Sequence, residues 1–275
     1  MRRFIAATLL LIMLAAGAVE AKFFLVRKLS FNFTLTGATG CTAVTPKFTF
    51  TLGTVRYRIN GGTWVSLTSG VEANIALTVG QTIEYACSNW NKVSVLDING
   101  DKVTGNISSW TLPSSLAYFA VYSTSVSGDI SDWVLPSSLA HFYVHSTSVS
   151  GDITGWVLPS SLAYFTVYST SVSGDISDWV LPSSLAHFYV NSTSVDYDTS
   201  SGAFTGITNV LTKIDFDNCS LTQSQVDNVL ADCVASGITG AKTLEVGDNN
   251  AAPSAAGLAN RTILLARGWT VKVTS

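Results

Sequence analysis

Between Gly105 and Val195, this chain of 275 residues contains no lysine, no arginine and no glutamate. The formal charges in that stretch are five aspartates: Asp129, Asp132, Asp152, Asp175 and Asp178. A phosphate backbone binds by exchanging its counterions for protein cations, so no nucleic-acid partner is expected. Charge is scarce throughout. Only 12% of residues are charged, 47% are apolar, and the net charge is −3. That balance excludes a self-repelling disordered chain and allows a sizeable core. G-x-S-x-G, the Walker loop and H-E-x-x-H are also missing, and with them the usual signatures of a nucleophile elbow, a phosphate cradle and a zinc peptidase. The cysteines Cys41, Cys87, Cys219 and Cys233 show no metal-ligand spacing.

The N-terminus reads MRRFIAATLLLIMLAAGAVEA. Arg2 and Arg3 form a positive n-region, Phe4 to Val19 is an apolar run of sixteen residues, and Val19-Glu20-Ala21 offers a small-residue cleavage site. These features predict a secretory signal peptide over residues 1–21, hence a secreted or cell-surface protein with no stable membrane insertion after cleavage. The alternative, an uncleaved anchor helix, would need about 20 apolar residues. Export permits disulfides. Cys41 and Cys87 both fall in the N-terminal part and could pair. Cys219 and Cys233 sit at apolar-pattern positions and read as buried thiols more readily than as a bridge.

The middle of the chain copies itself. SGDISDWVLPSSLAHFYVHSTSV, residues 127–149, returns at 173–195 with one change, His145 to Asn191. Trp110, Trp133, Trp156 and Trp179 are each 23 residues apart, as are Phe119, Phe142, Phe165 and Phe188. One unit reads L-x-x-F-x-V-x-x-T-x-V-x-G-x-I-x-x-W-x-L-P. Self-similarity at such a period predicts a solenoid, in which stacking buries what one coil cannot bury alone.

The unit resembles a leucine-rich repeat, with Leu139, Phe142, Val144, Thr147 and Val149 at the positions of L-x-x-L-x-L-x-x-N-x-L. Ser150-Gly151-Asp152-Ile153 matches the L-x-G-x-I extension of plant-type and some bacterial members. The departure is the asparagine column, filled here by Thr124, Thr147, Thr170 and Thr193. A threonine hydroxyl donates and accepts but reaches less far. The register predicts seven coils, with strands near residues 96, 119, 142, 165, 188, 214 and 244. Prolines such as Pro136 argue against a helix on the return path.

The expected fold is a mainly β repeat solenoid, leucine-rich-repeat-like, over 91–247. A β-sandwich-like cap precedes it over 22–90, where Asn60-Gly61-Gly62 signals a hairpin. A C-terminal cap follows over 248–275. Val226, Val229, Leu230 and Cys233 share one helical face, and a second short helix follows Pro253.

Strand side chains alternate, so if Phe142 and Val144 point inward their neighbours point out. The outward columns are Tyr118, His141, Tyr164 and His187, then Ala120, Tyr143, Thr166 and Tyr189, then Tyr122, His145, Tyr168 and Asn191. A dense Tyr/His face of this kind suits a protein or glycan ligand, and cross-strand pairing for stability alone is the competing reading. The candidate ligand-binding residues are therefore Tyr118, Tyr122, His141, Tyr143, His145, Tyr164, Tyr168, His187 and Tyr189. Near their reference pKa of about 6.5 the three histidines would add positive charge to this face. They are too far apart to share a metal ion, since two coils span about 10 Å.

Asp129, Asp152 and Asp175 form a carboxylate column that follows glycine and tiles with the repeat. That pattern reads as a turn, ahead of calcium binding or a hydrolase pair. No catalytic residue, metal site or cofactor is expected. The sequence reads as an exported leucine-rich-repeat binding or adhesion module for a protein or glycan, not an enzyme. Its rivals are a structural subunit or spacer in a surface or virion assembly, where an oligomer is possible, and a glycan-acting enzyme built on the aspartates.

Overall fold

The computed structural model describes residues 31–275, and the predicted signal peptide lies outside them. Each repeat unit lays down two short strands, one in each of two nine-stranded sheets. The first sheet holds β10 (Tyr118–Ala120), β12 (His141–Tyr143), β14 (Tyr164–Thr166) and β16 (His187–Tyr189). They pair in parallel and in repeat register, Phe119 beside Phe142, Phe165 and Phe188 in turn. The second sheet holds β11 (Ser125–Asp129), β13 (Ser148–Asp152), β15 (Ser171–Asp175) and β17 (Ser194–Asp196), also parallel. Regularly spaced parallel strands with stacked aromatics between them form the arrangement of a repeat solenoid.

The turn joining the two strands explains the threonine column. Ser123, Ser146, Ser169 and Ser192 all have positive φ, between 52 and 55°. The next residue then folds back over the turn. Thr147 donates its hydroxyl to the carbonyl of Val144 at 2.6 Å and accepts the N–H of Val149 at 3.3 Å. Thr124, Thr170 and Thr193 do the same in their coils. The shorter side chain thus closes its own turn.

Other groups tie coil to coil. Phe119, Phe142, Phe165 and Phe188 stack face to face at 5.4–5.7 Å, and all are fully buried. Trp156 meets Phe142 edge-on at 5.7 Å while its Nε1–H donates to the carbonyl of Ser131, one coil earlier. Ser138, Ser161 and Ser184 donate to backbone carbonyls of the preceding coil. In the coils that carry Pro113, Pro136, Pro159 and Pro182 the return path from sheet to sheet is free of helix, as the prolines require.

Both ends continue the sheets. On the N-terminal side β9 (Val103–Asn106) is followed across the sheet by β1 (Phe31–Gly37), β7 (Thr82–Cys87), β4 (Val55–Ile59) and β5 (Val65–Ser66). The expected hairpin joins β4 and β5. In the other sheet β3 (Lys47–Phe50) runs antiparallel to β8 (Val93–Asp97). The N-terminal residues therefore extend the solenoid's own two sheets.

At the far end β18 (Lys213–Asp215), β19 (Thr243–Val246) and β20 (Thr270–Val273) prolong the first sheet. β20 adds one parallel strand beyond the seven expected. Two short helices, α1 (Gln223–Ala235) and α2 (Ala255–Ala266), replace the second-sheet strand in these coils. Thr222 caps α1 in a reciprocal box with Gln225, and Ser254 caps α2. Val226, Val229, Leu230 and Cys233 are buried, as their spacing predicted. Residues 248–275 are therefore a further coil in the stack.

The cysteine pairing is corrected. Cys87 lies opposite Phe31, at the start of β1, while Cys41 lies beside Gly37, at its end. Six residues of strand, about 20 Å, separate them, well beyond disulfide reach. All four cysteines are buried free thiols.

Candidate functional site

The Tyr/His face is built as the alternation predicts. Tyr118, His141, Tyr164 and His187 stand in one column, with ring centroids 5.5, 4.8 and 4.6 Å apart down the stack. Tyr122, His145 and Tyr168 form a second column, at 4.4 and 4.2 Å. Between the columns, Tyr143 leans across to Tyr118 and Tyr122, at 5.5 and 5.9 Å. That crossing explains the small residues in the middle column, because Ala120 and Thr166 are only 0 and 4% exposed beneath the rings. His141 Nδ1 shares a hydrogen bond with the Tyr143 hydroxyl at 3.1 Å, and His187 with Tyr189 at 2.8 Å.

All nine residues come together, but none is fully exposed. Stacking covers ring faces within each column, and the His141–Tyr143 and His187–Tyr189 hydrogen bonds engage polar tips between columns. The expected gain of positive charge near pH 6.5 is corrected for the same reason. Burial lowers all three histidine pKa values, and that of His145, wedged between Tyr122 and Tyr168, falls to about 4. Burial also raises Tyr118 to about 12. Burial thus favours the neutral form of all three histidines.

Past Tyr189 the face becomes charged. The Lys213 ammonium lies 5.5 Å from the Tyr189 ring and bridges Asp215 and Glu245 at 3.1 and 2.5 Å. Lys272 pairs with Asp217 and Asp248. Oxygens of Asp215, Asp217 and Glu245 lie within 4.8 Å of one another. Burial raises the Asp215 carboxyl to about 6, against the pull of its hydrogen bonds and of Lys213. This cluster was missed in the sequence because its members come from different coils, and K-I-D-F-D alone does not mark it.

The aspartate column is occupied with turns. Asp129 accepts the Ser131 N–H and hydroxyl at 2.9 and 2.6 Å, which holds its carboxyl below the usual range. Asp152 accepts the Thr154 N–H and Asp175 the Ser177 N–H. Gly128, Gly151 and Gly174 have φ between 115 and 136°, and a Cβ there would meet a polar side chain of the preceding coil.

A second feature went unread. Val134, Val157 and Val180, in the W-V-L-P segment, lie on the outer surface. Comparison with protein-family models, curated proteins and solved structures finds no match. Among the described residues no helix is long and apolar enough to cross a membrane.

Proposed function

We propose that this chain is an exported, leucine-rich-repeat-like binding or adhesion module, without catalytic activity, whose Tyr/His face recognises a protein or glycan at a cell surface. One observation carries the reading: nine aromatic and imidazole rings form a continuous surface free of formal charge across four coils. Stacked rings are already ordered, so a ligand loses little side-chain entropy on meeting them. Tyrosine hydroxyls and imidazole nitrogens recur along the columns at the pitch of the coils. That supports recognition by hydrogen bonding and edge contact more than by stacking on an open ring.

The test is a glycan array together with pull-down from intact cell surfaces, comparing wild type with Tyr143→Ala/Tyr189→Ala. Retention on a defined ligand by wild type and loss by the variant supports the reading. A second reading, a structural subunit in a surface assembly, is favoured by the half-burial of the rings. It predicts oligomers that grow with concentration and no selective ligand.

A further inference from the structure

Val134, Val157 and Val180 each follow the buried tryptophan of their coil and are 83, 84 and 78% exposed. No other large apolar side chain among the described residues is as exposed. They recur in three successive coils, and both sheets hydrogen-bond each coil to the next on either side of this segment. The pitch is therefore fixed at about 4.8 Å, so the valines form a continuous ridge. Beside it opens a groove of about 350 Å³, lined by Trp156, Val157, Leu158, Trp179, Val180 and Pro182. Two residues before the outer valines stand Asp132 and Asp178, with Gly155 at the central position. Three residues after each valine is an exposed serine: Ser137, Ser160 and Ser183.

We propose that this ridge is a docking surface for a second copy of the chain, the two ridges lying parallel about a two-fold axis that runs along the stack. Pitch is the first argument. Identical side chains stacked at one repeat pack dry against a partner of the same repeat, whereas an extended peptide, at about 3.3 Å per residue, falls out of register. Charge is the second. A two-fold axis along the stack keeps the order of the coils and reverses the chain direction, so the aspartate row of each copy faces the serine row of the other. Like charges are kept apart, and Gly155 leaves the centre free of a third carboxylate. Area sets the strength. Three valines and their flanks fall short of the roughly 800 Å² per partner of a standard interface, so the dimer is weak and concentration-dependent. This inference is independent of the Tyr/His face.

Sedimentation velocity of the purified protein, from low micromolar to near-millimolar concentration, is the test. Wild type is expected to pass from monomer to dimer. Val134→Ser/Val157→Ser/Val180→Ser is expected to stay monomeric with an unchanged melting temperature, because these side chains are exposed. Should that triple variant melt early, Val157→Lys alone is expected to weaken the dimer by about tenfold or more. Tyr143→Ala/Tyr189→Ala is expected to dimerise like wild type. Wild type that stays monomeric throughout overturns the proposal, as does a well-folded ridge variant that dimerises normally. Monomeric wild type that sediments with phosphatidylcholine vesicles through the valines also overturns it, assigning the ridge to lipid.

Discussion

His145 and Tyr168 stack 4.2 Å apart with their rings 13° from parallel. Tyr122 covers the other face of the imidazole at 4.4 Å, so a proton on His145 would be poorly solvated. Its folded pKa is about 4, against 6.5 for the exposed group. Between those values the unfolded chain binds a proton that the folded chain refuses. Stability is therefore complete above pH 6.5 and is lost as pH falls toward 4. Solvent screening at a half-buried ring limits the loss to about 1–2 kcal/mol. His145→Asn, with Asn191 as its precedent in the next-but-one coil, should flatten part of that slope. Urea melts of both proteins at pH 7.5, 5.5 and 4 measure it, and identical slopes would contradict the burial of His145.

Phe142 and Tyr143 are adjacent, yet their substitution should differ in cost. Phe142 is fully buried between Phe119 and Phe165, at 5.6 and 5.7 Å. Replacing it with alanine should cost about 3–5 kcal/mol. Tyr143→Ala should cost clearly less, since Tyr143 is only half-buried. Equal losses in denaturant midpoints would mean that the faces are wrongly assigned.

Gly151 and Gly155 should separate just as cleanly. Gly151 has φ of 132°, and a Cβ would lie 2.5 Å from Asp129 Oδ1. Gly151→Ala should lose about 1–3 kcal/mol. Gly155 has nothing within 4 Å of its Cβ position, so Gly155→Ala should leave the thermal midpoint almost unchanged.

In the N-terminal core, the Tyr85 hydroxyl is buried without a hydrogen-bond partner. Burial raises its pKa well above the ordinary value. An unpaired buried hydroxyl costs about 1–3 kcal/mol, so Tyr85→Phe should be neutral or stabilising. A clear drop in melting temperature would reveal a bond to that oxygen.

The repeat was legible because its columns are chemical as well as positional. Phe119 to Phe188 and Trp110 to Trp179 announce a core by spacing alone, and the rings do stack there. The helices were legible from the shared face of Val226, Val229, Leu230 and Cys233 and from Pro253, where periodicity and φ restriction act locally. What escaped was set by three-dimensional packing. Apolar patterning would bury Val157, but Trp156 and Leu158 take the inward positions around it. Alternation placed His145 on the outer face, yet only coil-to-coil stacking shows that its ring is covered. The separation of Cys41 from Cys87 depends on where each meets β1, which spacing along the chain does not carry.

The central claim is that the Tyr/His face binds the ligand, and the affinity of the panel variant tests it most directly. Titration of the array- or cell-derived ligand should show Tyr143→Ala/Tyr189→Ala weakened by about tenfold or more, roughly 1.4 kcal/mol, with the valine-ridge variant matching wild type. Equal affinity for wild type and the panel variant would contradict the account.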